Sequence, residues 1–184
     1  MTEQTVSLQD FAGATTLDVF AAAAQYCREH PGTTLVIPPG RYVLRDEAAA
    51  KLMDAAMSGQ LGENPQEQIF THYFPYARGL DLRGYDNVTV DGRGAWLVSD
   101  GWMEPVTVEN CRNVTLRGFT LDCLRKPYSV GQVVREDADG YDVAFDKRYP
   151  VTASTPSPRI YAYLWDKGRF SSEGWECLRR EELA

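Results

Sequence analysis

The sequence predicts an all-β fold: a right-handed parallel β-helix, in which one chain winds as a solenoid behind an N-terminal capping α-helix. Three observations predict it. A turn-and-strand motif recurs after 26 residues, short strands between Gly, Asn and Asp turns fill most of the chain after Phe70, and an amphipathic helix precedes them. A repeat of that length, made only of strands and turns, fits one coil of a β-solenoid.

The first element is an amphipathic helix predicted over Thr16 to His30. Its apolar side chains share one side of a helical wheel: Leu17, Phe20, Ala21, Ala24 and Cys27. Thr15 or Thr16 can cap its start, and the following Pro-Gly pair stops it. Because a solenoid exposes an open β edge and a core cross-section at each end, we expect this helix to be the N-terminal cap.

Two short strands and a helical insertion follow. The β-rich run Thr34 to Ile37 leads through a Pro-Pro-Gly turn into a second extended run, Arg41 to Leu44. Residues 46–68 then leave the strand pattern. Within them a helix is predicted over Glu47 to Met57, with Asp46 as its cap and Gly59 beyond its end.

The internal repeat is the informative feature. The segment Gly84 to Gly92 returns as Glu109 to Gly118, 26 residues later. In a parallel solenoid equal positions of successive coils stack, so the alignment predicts inward, outward and turn ladders. These are Val88 on Val114 and Val90 on Leu116 inward, Thr89 on Thr115 outward, and Asn87 on Asn113 at the turn.

The same alignment places Trp96 on Asp122, on the outward face of neighbouring coils. An outward aromatic ring beside a carboxylate can hold a sugar, whose apolar face stacks while its hydroxyls are hydrogen-bonded. Arg125, Lys126 and Tyr128 follow closely and complete the candidate substrate-binding set. The alternatives are that Asp122 pairs with Arg125 or Lys126 on a solvated face, or that Trp96 is buried beneath the loop after Leu124.

Glycoside hydrolysis needs two carboxylates, and three candidates are available. They are Asp81, Asp91 and Asp122. Asp91 precedes Gly-Arg-Gly and is better interpreted as a turn residue that bonds its own backbone. Asp122 ends an alternating strand and is the candidate catalytic residue.

Composition restricts the partners. The 184 residues carry a net charge of −7, which disfavours nucleic acid and anionic membranes. Neither a signal peptide nor a membrane span is apparent, so the sequence predicts a soluble, cytoplasmic protein. The four cysteines form no C-x-x-C pair, and neither a metal site, a disulfide framework nor a cofactor is predicted.

The C-terminal part departs from the strict period. The segment Tyr141 to Asp146 fits either a strand of a third coil or an outlying hairpin. The aromatic-rich segment Arg159 to Ala184 is either a C-terminal cap or followed by further coils. We therefore expect one domain, 1–184, incomplete at its C-terminal end and able to self-associate through an open β edge.

Several segments of the sequence resemble those of a known protein superfamily and of one family. The order of helix, Leu-Val-Ile-Pro-Pro-Gly-Arg-Tyr and Asp-Asn-Val-Thr-Val-Asp-Gly-Arg-Gly-Ala is similar to the opening of the pectate-lyase-like β-helix superfamily. The continuation from Asn113 to Val134, with Arg148-Tyr-Pro and Glu173-Gly-Trp-Glu, resembles the α-1,3-galactosidase family of β-helix glycoside hydrolases.

That resemblance, from about Leu8 to about Glu176, implies a carbohydrate substrate and the hydrolysis of O-glycosidic bonds. Members of the family are several times longer and carry their catalytic acids on later coils, so it also implies an inactive N-terminal portion here. The polygalacturonase signatures and a calcium-holding Asp cluster are absent. A non-catalytic β-helix module that binds a glycan, or that only stacks, is the alternative.

Overall fold

The computed structural model describes residues 4–62, 64–69, 71, 73–126, 128–138, 140–147, 151, 163–164 and 169–170. The chain divides into two compact units, Met1–Leu52 with Pro75–Arg125, and Met53–Phe74 with Lys126–Ala184. A single domain over 1–184 stays a prediction. Arg148 to Pro150 and most of the segment from Arg159 to Ala184 lie outside the described residues, and so does the choice between a C-terminal cap and further coils.

The elements in chain order are β1 (Gln4–Ser7), α1 (Thr16–Glu29), β2 (Thr33–Val36), β3 (Arg41–Arg45), α2 (Glu47–Met57), α3 (Gln66–Ile69), β4 (Arg78–Asp81), β5 (Asp86–Asp100), β6 (Glu104–Thr107), β7 (Arg112–Cys123), β8 (Gly131–Asp137), β9 (Gly140–Phe145), β10 (Tyr163–Leu164) and β11 (Arg169–Phe170). A short 3-10 turn, Leu8–Asp10, follows β1.

Parallel pairing organises the first unit. Strand β2 lies between β1 and β5, and β5 also pairs with β3 and β7, always in parallel. The register aligns one threonine from each of four strands in an outward row: Thr5, Thr34, Thr89 and Thr115. Strands β4 and β6 pair in parallel as well. Ion pairs within β4/β6 and within β5/β7 join residues separated by 26 positions, which is the predicted period.

The predicted ladders are confirmed on the first half of β5 and β7. Val88 pairs with Val114, Thr89 with Thr115 and Val90 with Leu116. The inward residues of β5 are fully buried, whereas Leu116 of β7 is 36% exposed. In the part of the chain that the structure describes, β7 pairs with β5 alone, so its other edge and half of its apolar row stay accessible.

The second half of the predicted alignment is wrong. Between Asp91 and Ala95 the register shifts, so that Trp96 pairs with Thr120, while Asp122 pairs with Val98. The cause is a bulge: β5 inserts Gly-Arg-Gly at 92–94 where β7 has only Gly118, and the offset between paired residues becomes shorter. Asp122 therefore lies diagonally from Trp96, with about 8 Å between Cα atoms, rather than directly beside it.

Local capping explains the helix bounds. The Thr15 side chain accepts a hydrogen bond from the backbone of Asp18, whose carboxylate bonds back to Thr15, so α1 begins as predicted. Its apolar face, with Phe20 and Cys27, joins the core formed by β2 and β5. Helix α2 has the predicted bounds, and Asp46 accepts the Ala49 N–H at 2.9 Å. The predicted insertion also contains α3, Gln66–Ile69.

In the second unit, β8 and β9 form an antiparallel hairpin. Of the two alternatives for Tyr141 to Asp146, the hairpin is therefore the one observed. Strands β10 and β11 form a second antiparallel pair. Among the described residues, none of the helices has the length and apolar character needed to cross a membrane. The right-handed β-helix itself stays a prediction.

Candidate functional site

The candidate site lies on the outward face of β3, β5 and β7. The register places Arg41, Trp96 and Thr120 side by side, one from each strand. Two residues further along the strands, Val98 lies beside Asp122. Because side chains alternate across a strand, Trp96 and Asp122 share one face of the sheet.

The sheet holds the backbone of Trp96, whereas its side chain remains accessible. Its backbone N–H donates to the Gly40 carbonyl at 2.8 Å, and its strand is paired on both sides. The side chain is 48% exposed, so the alternative that it is buried beneath the loop after Leu124 is wrong. A half-exposed indole offers a ring face on which the apolar side of a sugar can stack.

Asp122 lies near the end of β7 and is half-buried. Its Oδ1 accepts the backbone N–H of Cys123 at 2.9 Å. This contact holds the carboxylate close to the strand. The carboxylate and the Trp96 ring therefore share the outward face without being direct neighbours.

The remaining predicted residues fall in different units. Arg125 is half-buried at the end of the first unit, whereas Lys126 and Tyr128 belong to the second. The Tyr128 side chain is 55% exposed. That all three join Trp96 and Asp122 in one substrate-binding set stays a prediction.

Each of the two other candidate carboxylates forms an ion pair with an arginine. Arg83 Nη2 lies 2.7 Å from Asp81 Oδ2, and Arg117 Nη2 lies 3.0 Å from Asp91 Oδ2. These hydrogen bonds hold the pKa of Asp81 and the pKa of Asp91 below their usual range. A general acid must hold a proton near neutral pH, so neither carboxyl suits that role. Asp91 also accepts the Arg93 N–H at 3.4 Å, in agreement with the predicted turn role.

Sequence reasoning missed Arg41 and Thr120, the strand neighbours of Trp96. Arg41 stands far before Trp96 along the chain, on a strand outside the repeat, and no local pattern joins them. Thr120 was missed because the bulge shifts the alignment. Among the described residues, no group of three or more His, Cys, Asp or Glu side chains is arranged to hold a metal ion.

Comparison with known proteins gives one consistent relation. The chain is 27% identical over 156 residues to alpha-1,3-galactosidase B of Bacteroides thetaiotaomicron, an overlap covering 84% of this chain and 22% of that protein. It is 31% identical over 126 residues to alpha-1,3-galactosidase A of Shewanella woodyi, covering 66% of this chain and 19% of that protein. It is 28% identical over 159 residues to alpha-1,3-galactosidase B of Parabacteroides distasonis, covering 86% of this chain and 23% of that protein.

The chain is thus related to proteins named alpha-1,3-galactosidase over most of its own length. It spans about a fifth of the length of these curated relatives. No family model matches the chain.

Proposed function

We propose that this relative of the alpha-1,3-galactosidases is the N-terminal portion of a β-helix glycoside hydrolase acting on terminal α-galactose or a related sugar. The chain supplies the opening coils and part of the substrate groove, and the catalytic carboxylates belong to later coils. The observation that carries the proposal is the similarity to proteins of that name, which covers 84% of this chain in one case.

The strand register supports the β-helix part of the proposal. The same separation of 26 positions joins Arg78 to Glu104 in β4/β6 and Asp86 to Arg112 in β5/β7. One coil of a solenoid returns each strand to its parallel neighbour after a fixed number of residues. The accessible edge of β7 is where a further coil would pair.

The carboxylates support the inactivity of the chain alone. Hydrolysis needs two carboxyl groups about 5 to 9.5 Å apart, one of them protonated. Arg83 and Arg117 form ion pairs with Asp81 and Asp91, so these two carboxylates are engaged within the sheet rather than available to a substrate. Of the three candidates this leaves Asp122, which cannot by itself provide both the acid and the base or nucleophile.

The test is an assay of the purified chain on nitrophenyl α-galactoside and an α-1,3-linked digalactoside, beside size-exclusion chromatography to establish a folded species. We expect no galactose release, together with millimolar binding of methyl α-galactoside that Trp96→Ala removes and Tyr73→Ala, a change at another exposed aromatic, retains. Galactose release that Asp122→Asn abolishes and Asp54→Asn retains would overturn the fragment proposal. A folded chain that binds no galactoside would overturn the proposal that the chain supplies part of the substrate groove.

A second candidate is a non-catalytic module that binds a glycan or stacks through its edge. The half-exposed Trp96 ring and the accessible edge of β7 favour it. The DNA downstream separates the two: an open reading frame that resumes with Asp-rich β-helix coils would favour the hydrolase, and its absence would favour the module.

A further inference from the structure

The row formed by Arg41, Trp96 and Thr120 has the chemistry of a charged-sugar subsite. The three residues come from β3, β5 and β7 and are direct neighbours in the parallel register. Neighbouring strands are about 4.8 Å apart, so the outer Cα atoms span about 10 Å. One pyranose ring with its substituents fits that span.

The backbone fixes this row before any ligand binds. Arg41 begins β3 directly after the Pro-Pro-Gly turn, and Tyr42 Oη donates to the Pro38 carbonyl at 2.9 Å across that turn. The Gly40 carbonyl accepts the Trp96 N–H at 2.8 Å. Arg41 and Trp96 are therefore held by the same turn, and binding would order side chains only.

Arg41 is distinctive because its guanidinium is exposed and has no acceptor among the described residues. The neighbouring arginines of the same sheet all have carboxylate partners: Arg45 pairs with Glu47 and Asp100, Arg112 with Asp86, and Arg117 with Asp91. The guanidinium does not cover the indole of Trp96 either; the cation–π contact in the described part of the chain joins Arg28 to Tyr85. All five N–H donors of Arg41 are available to a ligand.

We propose that Arg41, Trp96 and Thr120 bind a galactose-type sugar that carries an anionic group, a carboxylate or a sulfate. The indole stacks on the apolar face of the ring, and the Thr120 hydroxyl bonds a sugar hydroxyl. The guanidinium takes two anion oxygens in a bidentate contact, for which its planar fork is suited. The galactose scaffold rests on the proposed function; the anionic group rests on Arg41.

Charge also sets the direction of the sugar. Arg41 occupies the β3 end of the row, and Thr120, which is uncharged, occupies the β7 end. The guanidinium attracts an anion to the β3 end. The anionic substituent therefore lies over β3.

The experiment compares three ligands on the full chain by isothermal titration and by NMR of the Trp96 indole. The ligands are methyl α-galactoside, the methyl α-glycoside of galacturonic acid with its carboxylate free, and methyl α-galactoside 6-sulfate. At low salt we expect an anionic ligand to bind about tenfold more tightly than the neutral one. A preference for galacturonate alone identifies a carboxylate, and a preference for the sulfate ester alone identifies a sulfate. Arg41→Gln should bring the affinities of all three ligands within about twofold of one another.

Arg112→Gln is the matched control, because Arg112 is also an exposed arginine of the sheet but lies in another row, and it should retain the preference. Neutral binding that requires Trp96, without any preference for an anion, would overturn this inference and leave the proposed function intact. A preference that survives Arg41→Gln would also overturn it. A folded chain that binds none of the three ligands would overturn the groove of the proposed function itself.

Discussion

Asn113 donates its side-chain Nδ2 to Oδ1 of Asn87 at 2.8 Å, across 26 residues of sequence. Both residues have a left-handed backbone, with φ of 53° and 54°. Asparagine is among the few residues other than glycine that adopt this conformation readily. One residue type thus satisfies both the turn and the contact between successive strands.

Replacing Asn113 separates these two roles. Asn113→Gly can still adopt the left-handed backbone conformation but removes the hydrogen bond to Asn87. We therefore expect it to lower the free energy of unfolding by less than about 1 kcal/mol. Asn113→Ala adds the cost of a Cβ at positive φ and should lower it by about 1 to 2 kcal/mol. Urea denaturation measures both; equal losses would show that the backbone conformation contributes nothing.

The bulge gives a second matched pair. A Cβ on Gly92 would lie 2.4 Å from Phe119 Cβ, whereas a Cβ on Gly94, with φ of 89°, meets nothing within 4 Å. We expect Gly92→Ala to lower the free energy of unfolding by about 1 to 3 kcal/mol through overpacking. Gly94→Ala should cost about 1 kcal/mol through its φ alone. A Gly94→Ala variant less stable than Gly92→Ala would contradict this packing.

The stabilisation by the ion pair between Arg117 and Asp91 should be lost in acid. Because the arginine lowers the pKa of Asp91 in the folded chain, this stabilisation is present above the unfolded pKa, about 3.9, and is lost as pH falls through the lower folded value. Arg117→Gln should therefore be less stable than wild type at pH 6, and the two should converge towards pH 2. Urea midpoints across that range test this; a constant difference would contradict it.

Burial of Cys27 should make the stability of the fold depend on pH in the opposite direction, with a loss in alkali. Burial raises the pKa of its thiol to about 11, against about 8.5 for an exposed thiol. The neutral thiol stabilises the fold fully below the unfolded pKa, and this contribution is lost as pH rises towards 11. Denaturation from pH 7 to 10.5 should show a steeper loss in wild type than in Cys27→Ala. Equal slopes in wild type and in Cys27→Ala would contradict this effect of burial.

Two buried hydroxyls should respond differently to removal. Ser99 is 2% exposed, and its Oγ has no hydrogen-bond partner in the described part of the chain. Thr33 is 1% exposed and donates to the His30 carbonyl at 2.6 Å. We expect Ser99→Ala to leave stability unchanged or raise it by up to about 1 kcal/mol, and Thr33→Val to lower it by about 1 to 3 kcal/mol. Thermal unfolding compares them, and a loss at Ser99 would reveal an unseen partner.

The sequence predicts what local chemistry determines. Helix α2 has the predicted bounds because Asp46 caps it, and the ladder from Val88 to Val90 follows from a period of alternating residues. The register beyond Asp91 was not predictable from that period, because part of the bulge has no counterpart in β7. A signal was present: alignment of Gly94, rather than Gly92, with Gly118 places Trp96 on Thr120. Arg41 was not predictable, because its neighbour lies far away along the chain.

Strand β5 is the common partner of β2, β3 and β7, and this has a consequence for the order of assembly. Pairing β5 with β7 joins Thr89 to Thr115, whereas pairing it with β2 joins Thr34 to Thr89 across roughly twice as much chain. The longer loop costs roughly 0.7 kcal/mol more closure entropy. The β5/β7 pair should thus form first and act as the nucleus onto which the N-terminal strands fold back. Since both contacts are remote in sequence, folding should be slow beside that of a helical domain of equal size.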